Sequence, residues 1–331
     1  MIKRTLEISR EPAHLAVRLD QLLIRRRDTD AEADGQTTPS IPCEDIGVVI
    51  VDHPSTTYSH AALVRLMDYG GVVVLCGRDH LPVGMLLPMV RHTEVVWRIQ
   101  AQINVARPLR KQLWKQIVVA KVRAQAVNIP PGSSARSRLL ALAREVRSGD
   151  PTNVEAQAAR IYWSAWLGDL AAAADFRRDP DKPGINAFLN YGYAVLRAAV
   201  ARAIVAAGLH PTLGIRHANR SDAFCLADDL VEPIRPLVDA RVRHLWREGR
   251  ETLDQSAKAA LLALLTAPVR VGDQSGPLMV GLHRTVASLV RCYEGATRRL
   301  LLPVAIDSDE QPTPAREADA QLMPPADTAE P

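Results

Sequence analysis

Aromatic side chains are scarce in this 331-residue chain, where phenylalanine, tryptophan and tyrosine together make up 4%. A nucleic-acid binder organised around many base-stacking rings is thereby excluded. Cysteine is sparse too: Cys43, Cys76, Cys225 and Cys292 lie far apart, and no Cys-x-x-Cys pair occurs. That removes a disulfide framework and a zinc ribbon or finger, and it points to a reducing, cytoplasmic setting. Long apolar runs are missing, and the most apolar late stretch, 194–209, is interrupted by Arg197 and Arg202. No membrane span is expected. The first residues do not read as a signal peptide, because Lys3, Arg4, Glu7, Arg10 and Glu11 leave no apolar core. Neither GxxxxGK followed by Ser or Thr, nor GxGxxG, nor GxSxG occurs. Phosphate-loop, dinucleotide and serine-hydrolase chemistry therefore lack support.

What is present is an ordinary globular composition, 47% hydrophobic and 24% charged, at a length that suggests about two domains. The net charge of +4 is unevenly spread. Residues 98–148 hold eleven lysines and arginines against a single acid, Glu145. The end of the chain, from 304, holds seven acids against Arg316 alone. A basic block with almost no interspersed acids is the footprint of a polyanion partner, and a plain solvated helix face is the weaker reading.

The pattern of apolar residues divides the chain. Residues 5–9 and 15–19 alternate and 22–24 follows, as in a small antiparallel meander; 28–38 is a polar loop. The run 46–51, IGVVIV, and the run 72–76 read as buried strands, with a helix over 59–69 between them and another short strand near 84–87. Ser59 reads as a helix cap. From about residue 93 helical spacing dominates: 97–105, 111–126, 137–147, 153–168, 186–209, 223–248, 256–266 and 278–302. Pro233 and Pro236 should split the stretch 223–248. The expected fold is α+β, a small β-rich domain over 1–90 followed by a larger all-α domain over 91–303. An acidic, proline-rich disordered tail is expected over 304–331.

Two places can carry chemistry. Glu155, Tyr162 and Trp166 lie within about 20° of one line on a helix of 3.6 residues per turn, so a carboxylate shares the face of two large aromatics. Spacing alone favours the plain reading, an acid in the first turn where the helix dipole welcomes it. The second place is GLHPTLGIRHANRSDAFCLADDLVEPIRPLVD, where His217 sits on loop backbone ahead of Asp228, Asp229 and Glu232. Asp229 and Glu232 share a helix face. A histidine feeding adjacent carboxylates suits a divalent cation, although spacing alone again favours surface acids and an ordinary loop histidine.

Six blocks, in order, resemble one family: KRTLEIS, DHPSTTYSHAALVRLMDYGGVVVLCGRDHLPVGMLLP, LWKQIVVAKVRAQA, NVEAQAARIYW, NAFLNYGYAVLRAAVARAIVAAGLHPTLGIRH and LADDLVEPIRPLVD. The chain is similar to the CRISPR-associated integrase of adaptation, the first universal adaptation protein, and WKQIVVAKVRAQ with the glutamate of DDLVEP resembles its type II subgroup. The resemblance implies that Glu155, His217 and Glu232 hold the metal, magnesium or manganese, with Asp229 as an assisting acid. His210 departs from the family's GLDP, where aspartate is usual. The implied activity is metal-dependent integration and cleavage of DNA, in which the 3′ hydroxyl of a captured spacer attacks a phosphodiester at a repeat edge. The basic block, notably Arg107, Arg110, Lys111, Lys115, Lys121 and Arg123, is then expected to track the phosphates of double-stranded DNA. The implied partners are a second copy forming a homodimer through the β-rich domain, the small ferredoxin-like second adaptation protein, and the type II RNA-guided effector nuclease. Two other readings stay open: a stand-alone nuclease acting on branched DNA, and a non-catalytic DNA-binding scaffold.

Overall fold

A computed structural model describes residues 3–26, 39–78, 82–89, 93–168, 170, 176–179 and 182–306. The polar stretch 28–38 and the chain beyond 306 lie outside them. The first part runs through β1 (Arg4–Ile8), β2 (Ala13–Arg18), β3 (Gln21–Arg26), β4 (Ser40–Pro42), β5 (Ile46–Val51), β6 (Thr57–Tyr58), α1 (His60–Asp68), β7 (Val72–Cys76) and β8 (Pro82–Leu86). These strands form two four-stranded sheets, β1-β5-β7-β8 and β4-β3-β2-β6.

The all-apolar run of β5 is buried at each of its six positions, flanked by parallel β1 and β7. Side chains alternate between faces of a strand. Val48 and Ile50, with Val72 and Val74, join the core built by the helices, while Val49, Val51 and Val73 face a second core with Leu15, Leu22 and Leu66. The sheet is thus a wall shared by two cores. Helix α1 starts where expected, with the Ser59 hydroxyl accepting the Ala62 N–H at 3.2 Å. The expected meander is corrected in one respect: β2 and β3 pair antiparallel, but β1 belongs to the other sheet. The short link containing Pro12 carries the chain across.

The second part contains α2 (Val95–Ile103), α3 (Arg107–Val127), α4 (Ser134–Glu145), α5 (Val154–Ala165), α6 (Ile185–Ala206), α7 (Cys225–Val231), α8 (Arg235–Arg247), α9 (Gln255–Leu262), β9 (Pro268–Val271), β10 (Gln274–Pro277), α10 (Leu278–Tyr293) and β11 (Val304–Ala305). Pro108 falls in the first turn of α3, where a missing N–H costs nothing. A 3-10 turn over Glu232–Ile234 separates α7 from α8, as Pro233 and Pro236 require. Helix α6 is buried along most of its length, and Gly192 lets it close on α8, since a Cβ there would meet Val238 at 2.4 Å.

The helical part is not purely helical. Strands β10-β9-β11 form a small sheet over α10, and α10 ends at Tyr293 instead of continuing to 302. Gly272–Asp273 is the two-residue turn that signals this hairpin, with Gly272 at φ 66°. No helix among the described residues is long and apolar enough to cross a membrane.

Candidate metal centre

Glu155 is fixed by an unusually complete helix start. Asp150 and Asn153 both adopt left-handed backbone, at φ 49° and 53°. The Asp150 carboxylate accepts the N–H groups of Val154 (2.8 Å) and Glu155 (3.0 Å), and Asn153 accepts that of Ala156 (3.4 Å). Three of the orphan donors at the start of α5 are thereby satisfied. The Glu155 side chain emerges from this turn one-quarter exposed. Tyr162 and Trp166, on the same helix line, are fully buried core residues.

His217 is fixed by Asp229. That carboxylate is wholly buried and accepts the backbone N–H of Ile215 (2.5 Å), Arg216 (2.9 Å) and His217 (3.2 Å), and it lies 2.7 Å from the His217 Nδ1. Gly214 is obligatory in this wrap, because a Cβ there would sit 2.3 Å from the His217 carbonyl and 3.0 Å from the Asp229 carboxylate. With the proton on Nδ1, Nε2 keeps its lone pair and has no protein partner among the described residues. The hydrogen bond to Asp229 raises the imidazole pKa above its ordinary value, against the opposing effect of burial. Asp229 is thus engaged in orienting His217. Asp228 is also spoken for, by a two-point contact with Arg197 at 2.6 and 2.7 Å.

Glu232 opens the 3-10 turn with its side chain only 4% exposed. Its Oε1 lies 3.0 Å from an Arg235 nitrogen. Its Oε2 lies 2.5 Å from the Lys121 Nζ, and that same Nζ is 2.6 Å from the Glu155 Oε1. Burial pushes the Glu232 carboxyl up, but Arg235 and Lys121 outweigh it and hold the group below its usual range. Lys121, in turn, is held above its ordinary value by Glu232 and Glu155 despite its burial. Lys121, expected among the phosphate-tracking residues, is buried on α3 between two carboxylates.

Among the described residues, no three His, Cys, Asp or Glu side chains form a ready-made metal cluster. The donor set nevertheless fits a hard divalent cation. Glu155 and Glu232 already face one cationic centre, the Lys121 ammonium. The negative charge of Glu232 is among the influences that raise the His217 pKa. Two carboxylates and an imidazole suit Mg²⁺ or Mn²⁺.

A buried polar layer backs the site. Tyr162 donates to Asp239 at 2.8 Å, Tyr193 donates to its other oxygen, and Asn128 donates to the Tyr162 hydroxyl at 3.0 Å. Burial pushes the Asp239 carboxyl up to about 6. Arg235 links this layer to Glu232 by lying 5.0 Å above the Tyr193 ring. Sequence reasoning missed Arg235 and Asp239, although Arg235 stands three residues after Glu232, one helical turn away.

The remaining basic residues lie on α3. Arg107, Lys111 and Arg123 are exposed, while Arg110 and Lys115 are half-buried. The Arg110 guanidinium touches the Ile103 carbonyl at 3.4 Å.

Residues 6–267 match the family model described as CRISPR associated protein Cas1. A curated relative from Neisseria meningitidis serogroup C, CRISPR-associated endonuclease Cas1, is 37% identical over 272 residues, covering 81% of this chain and 87% of its own. Among solved structures, a casposase bound to integration product superposes with a TM-score of 0.75 at 20% identity, over 90% of this chain and 92% of that one. A Cas6-RT-Cas1–Cas2 complex superposes with a TM-score of 0.71 at 18% identity, over 91% of this chain and 36% of the larger one. These two likenesses show the fold.

Proposed function

The chain belongs to the Cas1 family of CRISPR-associated proteins, and from that premise we propose that it is a metal-dependent DNA integrase and endonuclease of spacer acquisition. The reading rests most on one observation: Glu155 and Glu232, from different helix starts, meet at the single ammonium of Lys121. In the proposed reaction the 3′ hydroxyl of a captured DNA attacks a phosphodiester at a repeat edge. One phosphorus–oxygen bond forms and one breaks, and the leaving 3′ oxygen takes up the proton. Water in place of the hydroxyl gives cleavage.

Glu155, His217 and Glu232 would hold a magnesium or manganese ion. When bound, the ion supplies charge to the non-bridging oxygens and to the leaving oxygen. Asp229 keeps the His217 Nε2 turned outward. Arg107, Arg110, Lys111, Lys115 and Arg123 would hold flanking phosphates and make binding steeply salt-dependent. Assembly as a homodimer, with the small ferredoxin-like second adaptation protein and in a type II setting with the effector nuclease, belongs to the same proposal. A neighbouring fold solved in a Cas1–Cas2 complex supports the second partner.

The test is a joining assay. Protein and its small partner are mixed with Mg²⁺, a labelled short duplex with free 3′ hydroxyls, and a plasmid bearing the repeat. Label should join at the repeat edge, and Glu155→Gln should reduce joining about a thousandfold, the scale of several kcal/mol of barrier. Metal-dependent cutting of branched DNA without joining would replace the reading with a stand-alone nuclease. Tight binding without reaction would leave a scaffold.

A further inference from the structure

Lys121 is a cation buried where a cation is meant to arrive. Its side chain is 11% exposed, and its ammonium contacts one oxygen of Glu155 and one of Glu232. Burying a lysine is costly unless it is paired, and here the pairing is with both carboxylates of the proposed site. Both oxygens of Glu232 already face a cation, Arg235 at Oε1 and Lys121 at Oε2. A metal ion on Glu232 would bring a third positive charge to that carboxylate, and Coulomb repulsion would press on the more mobile of the two. Arg235 is restrained by its ion pair to Glu232 and by the face of the Tyr193 ring. Lys121 hangs on a flexible four-carbon stem, beside a Glu155 that reaches solvent.

We propose that Lys121 is the removable internal counter-ion of this site: it holds Glu155 and Glu232 together in the metal-free protein and sets metal affinity by competing for the same oxygens. The inference rests on the metal-site reading above. It makes Lys121 a positioning residue with two opposed effects. Without metal it stabilises the fold by neutralising two acids. With metal it opposes binding, because two positive centres cannot both lie within contact of the same carboxylates without strong repulsion. A lysine that merely ties α3 to α5 and to the turn at Glu232 would have the first effect only.

The experiment uses the full chain freed of metal with a chelator, and Mn²⁺ as the probe. Mn²⁺ binding is measured by calorimetry, and thermal midpoints are measured with and without Mn²⁺, for wild type, Lys121→Gln, Lys121→Arg and Glu155→Gln. Lys121→Gln should melt below wild type without metal, bind Mn²⁺ about tenfold or more tightly, and gain more in midpoint on adding it. Lys121→Arg keeps the charge and should bind no more tightly than wild type. Glu155→Gln should lose binding. If Lys121→Gln does not fold without metal, folding at Mn²⁺ concentrations below the wild-type dissociation constant supports the inference, and failure to fold at saturating Mn²⁺ overturns it. Unchanged or weaker binding by Lys121→Gln, with binding lost in Glu155→Gln, overturns this inference alone. No binding by wild type or by Lys121→Gln overturns the metal-site reading and this inference together.

Discussion

Lys121 and Lys258 are both buried, in opposite ways. Lys258, on α9, meets Asp52 just past β5, and the two side chains are 6% and 1% exposed. Its ammonium also lies 5.7 Å from the Tyr191 ring, whose hydroxyl donates to Glu7 at 3.4 Å. This pair is sealed and clasps the sheet to the helices. Lys121 instead faces two acids, one of which reaches solvent. A sealed pair is an architectural device. An ammonium shared by two carboxylates at an open edge leaves negative charge that a small cation can claim.

The sharpest way to break the comparison is Lys258→Met. It removes the ammonium paired with the buried Asp52 carboxylate and should cost about 3–5 kcal/mol in urea unfolding, while Mn²⁺ affinity of the folded fraction stays at wild-type level. A loss of Mn²⁺ affinity of comparable size would erase the distinction between the two lysines.

A third cluster extends the comparison to a cation with no acidic partner among the described residues. Arg202 donates to the Gly70 carbonyl at 2.7 Å and lies 3.0 Å from the His283 Nε2. Burial, Arg202 and Lys3 push His283 down to about 4. The folded protein therefore resists a proton that the unfolded chain accepts near pH 6.5. Stability is full above about pH 6.5 and falls as pH drops toward 4, by up to about 3 kcal/mol. His283→Gln should flatten that part of the stability–pH curve, measured by unfolding at pH 7, 5.5 and 4. The smallest effect is expected from Asp229→Asn, which spoils the orientation of His217. It should weaken Mn²⁺ binding about 10–100-fold, the usual cost of losing such an orienting carboxylate.

Local chemistry was legible in the sequence and tertiary charge was not. The run IGVVIV read as a buried strand, Ser59 as a cap, and Pro233 with Pro236 as a break in a helix; each outcome follows from a residue and its neighbours. The α+β order was legible for the same reason. The hairpin β9–β10 escaped because its strands have four residues each, too few to show a period. The site was legible as a set of residues by family likeness, while spacing alone left Glu155 and His217 undecided. The inward turn of Lys121 could not be read at all. On α3 it shares the basic composition of Arg107, Lys111 and Arg123, and only the packing of α5 and the 3-10 turn against that helix separates it from them.

Helix α3 is also a measuring rod. It runs unbroken from Arg107 to Val127, anchored about two-thirds of the way along by Lys121 between the two carboxylates. Fourteen residues separate Arg107 from Lys121, about 21 Å at 1.5 Å per residue. If DNA lies along this helix in the proposed integrase, a strand that advances about 3.4 Å per nucleotide and is gripped at Arg107 would present to the carboxylates a bond about six nucleotides away. Because a helix does not stretch, that offset would be a property of the chain itself.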